Sequence, residues 1–125
     1  MEKVLIVDDL PEYVDTMEAY LEDRFVVLKA GNFQEAKKIL SENNVVLAII
    51  DIRLKEDDPA NKEGIELLKW LKEHSPKAGV IVMSAYREFD YAVEALNAGA
   101  DYFMRKPLSP DELIKIADKL TEETG

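Results

Sequence analysis

Cysteine is absent from this chain of 125 residues, and histidine and tryptophan occur once each. Missing thiols exclude disulfide staples and thiolate metal sites, and agree with a reducing compartment. Positive charge is also scarce: 16 basic residues face 26 acidic ones, for a formal charge of -10. A surface of that sign repels nucleic-acid phosphates and anionic lipid headgroups, so direct nucleic-acid or membrane-surface binding by this chain is not expected. Long apolar runs are lacking too. The N-terminus, MEKVLIVDD, turns acidic after only four apolar residues, so neither a signal peptide nor a membrane span is expected and the cytoplasm is the expected location. What remains is 47% hydrophobic and 34% charged, the composition of one globular domain, 1–125, able to bury a core.

Short apolar runs stand at Val4–Val7, Val45–Ile50, Val80–Met83 and Phe25–Leu28, and a shorter one is placed at Asp101–Met104 by its position between helical segments. Unbroken runs of this length suit strands covered on both faces. Helical period fills Glu12–Glu22, Phe33–Glu42, Glu63–His74, Glu88–Asn97 and Asp111–Thr121. Ser109, Pro110 and Glu112 are spaced as a capping box, Asn32 is placed to cap the second helix, and Gly99 follows the fourth where a left-handed residue would end it. Five β-α units joined by short loops predict an α/β fold, a doubly wound five-stranded parallel sheet with right-handed crossovers. The one irregular connection, Ile52–Lys62, is polar and reads as mobile.

In open parallel sheets ligands bind beyond the carboxyl ends of the strands. Those ends carry Asp8 and Asp9 (first strand), Asp51 (third), Ser84 (fourth) and Lys106–Pro107 (fifth). If the first and third strands are neighbours, their ends lie about 5 Å apart, close enough for three carboxylates to share a cation. A hard divalent ion relieves their repulsion, and Mg²⁺ is usual where phosphate is handled because it keeps waters for substrate oxygens. A carboxylate is also a competent nucleophile toward phosphorus. Asp51, central and ending the longest apolar strand, is the candidate acceptor, with Lys106 to neutralise phosphoryl oxygens and Ser84 to donate to one of them.

In this order, Asp8 and Asp9, Asp51, Ser84 followed by Ala85, Phe103, and Lys106–Pro107 resemble the receiver domain of two-component response regulators, over essentially the whole chain. The resemblance implies the flavodoxin-like (βα)5 fold with strand order 2-1-3-4-5. It implies a phosphoryl group taken onto Asp51 from a histidine kinase or histidine phosphotransfer protein, and dependence on Mg²⁺, with Mn²⁺ as a substitute. It also implies a backbone-carbonyl metal ligand at Arg53, a cis peptide before Pro107, and a switch in which Ser84 moves toward the phosphoryl group while Phe103 turns inward. A signalling role follows in place of turnover of a separate substrate. A downstream target or output domain would read the signal, and a phosphorylation-dependent homodimer through the fourth helix, fifth strand and fifth helix is implied likewise. Two departures stand out: the stretch between Asp51 and Gly64 is longer than the family commonly has, and Phe103 lacks the hydroxyl of the frequent tyrosine. The chain ends just past its last helical segment, so a stand-alone regulator and a receiver joined to further domains are both open.

Arg53 and Tyr86, each two residues past a site residue, are placed to overhang the site and tune the lifetime of the acyl phosphate. Asp57 and Asp58 read as solvated, His74 as a structural cation at a helix C-terminus, and Trp70 as core or half-buried packing. Asp8 and Asp9 have a bland alternative, capping the helix begun by Pro11. The alternative function is an aspartate-nucleophile phosphatase of the haloacid-dehalogenase type, which needs a second aspartate where this chain has Arg53. A flavodoxin-like electron carrier needs a glycine- and hydroxyl-rich phosphate loop where this chain has Asp8, Asp9 and Glu12.

Overall fold

The computed structural model describes residues 1–55, 58, 60–85 and 89–124. Strands and helices alternate as β1 (Lys3–Val7), α1 (Pro11–Leu21), β2 (Val26–Ala30), α2 (Phe33–Glu42), β3 (Leu47–Asp51), α3 (Glu63–His74), β4 (Gly79–Ser84), α4 (Phe89–Asn97), β5 (Tyr102–Arg105) and α5 (Pro110–Thr124). All ladders are parallel and the strand order is β2-β1-β3-β4-β5. The order reverses direction between β1 and β3, which opens a crevice above their carboxyl ends.

Period-two alternation divides the core. Val4 and Ile6 of β1 pack with Val14, Met17 and Leu21 of α1 and with Leu113 and Ala117 of α5, whereas Leu5 and Val7 pack with Ala36 and Leu40 of α2 and Leu67, Leu68 and Leu71 of α3. Because β1, β3 and β4 are buried on both faces, their sequences read as unbroken apolar runs. Each large aliphatic side chain buried this way contributes about 1.5–3 kcal/mol.

Edges differ from expectation. Phe25 is not in β2. Its backbone N–H donates to Leu21 O at 3.0 Å, closing α1, and its ring is buried on the α1/α5 side; the strand instead runs on through Lys29 to Ala30. As an edge strand β2 is partly exposed, not covered on both faces. Val45 and Val46 precede β3, which begins at Leu47.

Helix ends follow chemistry. Asn32 Oδ1 accepts from Glu35 N at 2.9 Å, and Gly99 ends α4 with φ of 110°. Ser109 Oγ accepts from Glu112 N at 3.3 Å, while the Glu112 carboxylate accepts from the Tyr102 hydroxyl at 3.2 Å. The serine half of that capping box therefore forms, and the glutamate turns to β5. His74 stacks on Trp70 with centroids 4.2 Å apart and has Nδ1 2.8 Å from Trp70 O, a structural role. Trp70 is half-buried against the α2/α3 side of the core.

The connection after β3 is less polar than its composition suggests. Ile52, Arg53 and Leu54 are all buried, as is Asn61. Asn61 Oδ1 accepts from Leu54 N at 3.0 Å and from Glu63 N at 3.1 Å, and its Nδ2 donates to Glu63 Oε1 at 2.7 Å. One amide thus clasps both ends of the segment. Asp58 is exposed, as expected for a solvated acid; Asp57 lies outside the described residues.

Candidate functional site

Each site residue is held by the strand ladder it terminates. Asp8 extends β1 by one more bond, its N–H donating to Ala30 O at 3.1 Å. Its Oδ1 accepts from Leu10 N at 3.0 Å, which fixes the turn into α1. The helix itself starts at Pro11 with no side-chain cap, so Asp8 shapes the turn but does not cap the helix. Asp51 closes β3 opposite Met83, and Ile52 N donates to Met83 O at 3.0 Å. Ser84 closes β4 and is buried. Lys106 follows β5, with its backbone N–H on Ser84 O at 3.0 Å, and its peptide bond to Pro107 is cis, as the resemblance implied.

Carboxylate oxygens of Asp8, Asp9 and Asp51 lie within 4.8 Å of one another. Lys106 Nζ is 2.6 Å from Asp8 Oδ2 and 3.3 Å from Asp51 Oδ2, with its side chain only 2% exposed. Burial alone would push the Lys106 ammonium down; the Asp51 charge and the bonded Asp8 carboxylate more than reverse this and hold it above the ordinary lysine value. Among the described residues, the Asp8, Asp9 and Asp51 carboxylates gather beside the Lys106 ammonium. Oxygen donors at this spacing suit a hard divalent cation and nothing thiophilic.

By strand alternation Ser84 and Phe103 fall on the α2–α4 side of the sheet. Alternation along β4 turns Val80 and Val82 to the α2–α4 side, and Ser84 continues that series. Phe103 pairs with Val82 in register and is half-buried against the same side of the core. Serine and aromatic therefore share a face one pleat apart. Arg53 is buried two residues beyond Asp51. Tyr86 lies outside the described residues.

Two residues of the site did not stand out in the sequence. Gly64, in the first turn of α3, lies so close to the acceptor strand that a Cβ built there would stand 2.0 Å from Asp51 O; a glycine inside a helical period was the available signal. Tyr13, on α1, places its ring centroid 4.1 Å from Lys106 Nζ, and nothing in its helical period distinguished it.

A five-stranded parallel sheet with an acidic, lysine-bearing crevice at its switch point defines a doubly wound α/β domain with its site at the carboxyl ends of the strands. The model of the response regulator receiver domain matches residues 4–118, and the chain belongs to that family. It is 33% identical over 123 residues to the transcriptional regulatory protein SrrA of Staphylococcus aureus, covering 98% of this chain and 48% of SrrA. A CheY-like response regulator receiver domain protein from Methanospirillum hungatei superposes with a TM-score of 0.85 at 31% identity, over 98% of this chain and 96% of that one. A response regulator from Burkholderia pseudomallei, with a phosphorylated aspartic acid, a calcium ion and citrate, superposes with a TM-score of 0.83 at 26% identity, over 98% of this chain and 70% of that one. The chain spans about a quarter to a half of the length of the curated relatives it matches.

The chain is thus a receiver domain of response regulators. Members of this family are signalling switches with weak autophosphorylation and phosphatase activity of their own, and they bind a divalent metal at an acidic cluster such as Asp8, Asp9 and Asp51. They receive phosphate from histidine kinases and can dimerise, and homologues carry output domains. No comparison favours the phosphatase alternative, and the second aspartate that chemistry needs is Arg53. Among the described residues no helix is long and apolar enough to cross a membrane.

Proposed function

We propose that Asp51 is the phosphoryl acceptor and that Asp8, Asp9, Asp51 and the backbone carbonyl of Arg53 hold Mg²⁺, with Mn²⁺ able to substitute. The observation that carries this reading is the approach of Lys106 Nζ to both Asp8 and Asp51 inside the three-carboxylate cluster. An Asp51 oxygen attacks phosphorus in line; an O–P bond forms as the bond to the donor nitrogen breaks, and the electron pair leaves with the imidazole. Bound Mg²⁺ supplies Lewis-acid charge to the phosphoryl oxygens. Lys106 neutralises an equatorial oxygen, Ser84 donates a hydrogen bond to another, and burial keeps competing water out.

The donor is a histidine kinase or a histidine phosphotransfer protein. Occupancy of Asp51 biases two arrangements by its differential contacts: Ser84 drawn toward the phosphoryl group, and Phe103 turned into the space released. A partner, a second copy or a joined output domain reads the result, in the cytoplasm and without nucleic-acid contact from this domain. The negative surface and the Asp8, Asp9, Asp51 cluster support that division of labour.

Incubation with acetyl phosphate and Mg²⁺, followed by intact mass measurement, tests the reading. The parent is expected to gain one phosphoryl mass, Asp51→Asn none, and the parent with EDTA none; equal gain in all three would sink it. Arg53 and Tyr86 are proposed to set the lifetime of that adduct by limiting water access. Arg53→Ala and Tyr86→Ala are each expected to change the dephosphorylation half-life about threefold, a modest loss of water exclusion. Half-lives equal to the parent in both would remove this role.

A further inference from the structure

We infer that Tyr13 is a positioning residue for phosphoryl transfer: its ring face holds the Lys106 ammonium beside the Asp8 and Asp51 carboxylates, where it can meet incoming phosphoryl oxygens. The inference rests on Asp51 as acceptor and extends that reading to a residue on α1. Lys106 Nζ stands 4.1 Å from the Tyr13 ring centroid, well inside the ~6 Å reach of a cation–π contact. The same nitrogen is 2.6 Å from Asp8 Oδ2 and 3.3 Å from Asp51 Oδ2. Those carboxylates are the groups a divalent ion would claim. The ring differs from both: it attracts a cation through its face but offers a hard ion no oxygen lone pair there. It also carries no charge to repel a phosphoryl group. An ammonium that gives up Asp8 therefore keeps a fixed partner in the ring, which narrows the rotamers open to its flexible stem.

The placement of the ring is built into the fold. Asp8 Oδ1 holds Leu10 N at 3.0 Å, and Tyr13 N donates to Leu10 O at 3.1 Å. The end of β1, the turn and the first turn of α1 form one connected piece, so the ring and the carboxylate that flank Lys106 share a frame. Thr16, Met17, Tyr20, Pro107 and Leu108 line an open hollow of about 350 Å³ beside Tyr13, between α1 and the segment after β5. Room on that side means a smaller or more flexible apolar residue at position 13 does not force the helix to move. The contact is made by the ring face, so the hydroxyl is dispensable.

The test compares the full chain with Tyr13→Phe, Tyr13→Leu and Tyr13→Met. Rates of phosphorylation by acetyl phosphate with Mg²⁺ are measured by intact mass, and shifts of the Lys106 ε-protons are read by NMR in metal-free protein. Tyr13→Phe is expected within about twofold of the parent and Tyr13→Leu and Tyr13→Met about 5- to 10-fold slower, the size of one partly buried cation–π contact. The upfield ring-current shift at Lys106 is expected to survive in Tyr13→Phe and to vanish in the other two. Parent-like rates in Tyr13→Leu or Tyr13→Met, or a Tyr13→Phe protein as slow as they are, would overturn the inference; should one aliphatic variant fail to fold, the other decides. A parent that gains no phosphoryl mass, or an Asp51→Asn protein that gains as much, takes down the acceptor assignment and this inference with it. A parent phosphorylated at Asp51 beside three variants of equal rate takes down only the role of Tyr13.

Discussion

Lys106→Met is expected to slow phosphorylation by acetyl phosphate about 100-fold, the usual cost of removing one charge-stabilising donor, and to destabilise the metal-free protein by about 3 kcal/mol. The ammonium is buried between Asp8 and Asp51, and methionine of similar length takes that cation away from both carboxylates. Breaking a buried ion pair from one side costs more than the pair contributed, because the surviving charges stay desolvated. A divalent ion replaces the missing charge, so the stability deficit should shrink as Mg²⁺ is added, by mass action on the folded state. Urea denaturation of parent and variant in EDTA and in excess Mg²⁺ measures both terms. An equal deficit in the two media would show that Lys106 does not balance the cluster.

Gly64→Ala should lower stability by at least about 3 kcal/mol, at the severe end of overpacking. The new Cβ would stand 2.0 Å from Asp51 O and 2.7 Å from Ile52 Cα. Both are backbone atoms, and Gly64 N is itself bonded to Ile52 O at 2.9 Å, so no side chain can swing aside. Alanine's better helix propensity returns less than about 1 kcal/mol. The melting temperature should fall by about 10 °C, from the slope expected for a domain of this size. Because the relief must come from moving α3 away from β3, affinity for a divalent ion should fall as well. Gly31→Ala is the control, since a Cβ there meets Glu35 Oε1 at 3.3 Å, the end of a flexible side chain, and backbone no nearer than Asp8 O at an ordinary 4.0 Å. Equal melting temperatures for the two variants would refute the steric account.

Asp8, Asp9, Asp51, Ser84 and Lys106 were legible because a parallel sheet buried on both faces announces its strands as apolar runs, and polarity returns where each run ends. Phe25 misled for the same reason: an apolar residue beside β2 was counted into it, although its backbone closes α1 and its ring belongs to the α1/α5 core. The buried start of the Ile52–Lys62 segment was hidden by its polar middle, and the clasp by Asn61 depends on which carbonyl and amide the fold brings near it. Tyr13 and Gly64 matter through contacts across the fold, with Lys106 and with Asp51 O. A glycine inside a helical period hints at a close approach without naming what approaches, and no local pattern encodes the Tyr13 contact. The helical period that places Tyr13 on α1 would be satisfied equally by leucine.

The most direct test of the central claim is to locate the phosphoryl group. Reduction of the acetyl phosphate-treated protein with borohydride converts an aspartyl-phosphate to homoserine, and peptide mapping by mass spectrometry then reads its position. Homoserine at position 51, with Asp8 and Asp9 unchanged, is the predicted result. Homoserine at position 8 or 9, or a phosphate ester on Ser84, would contradict it.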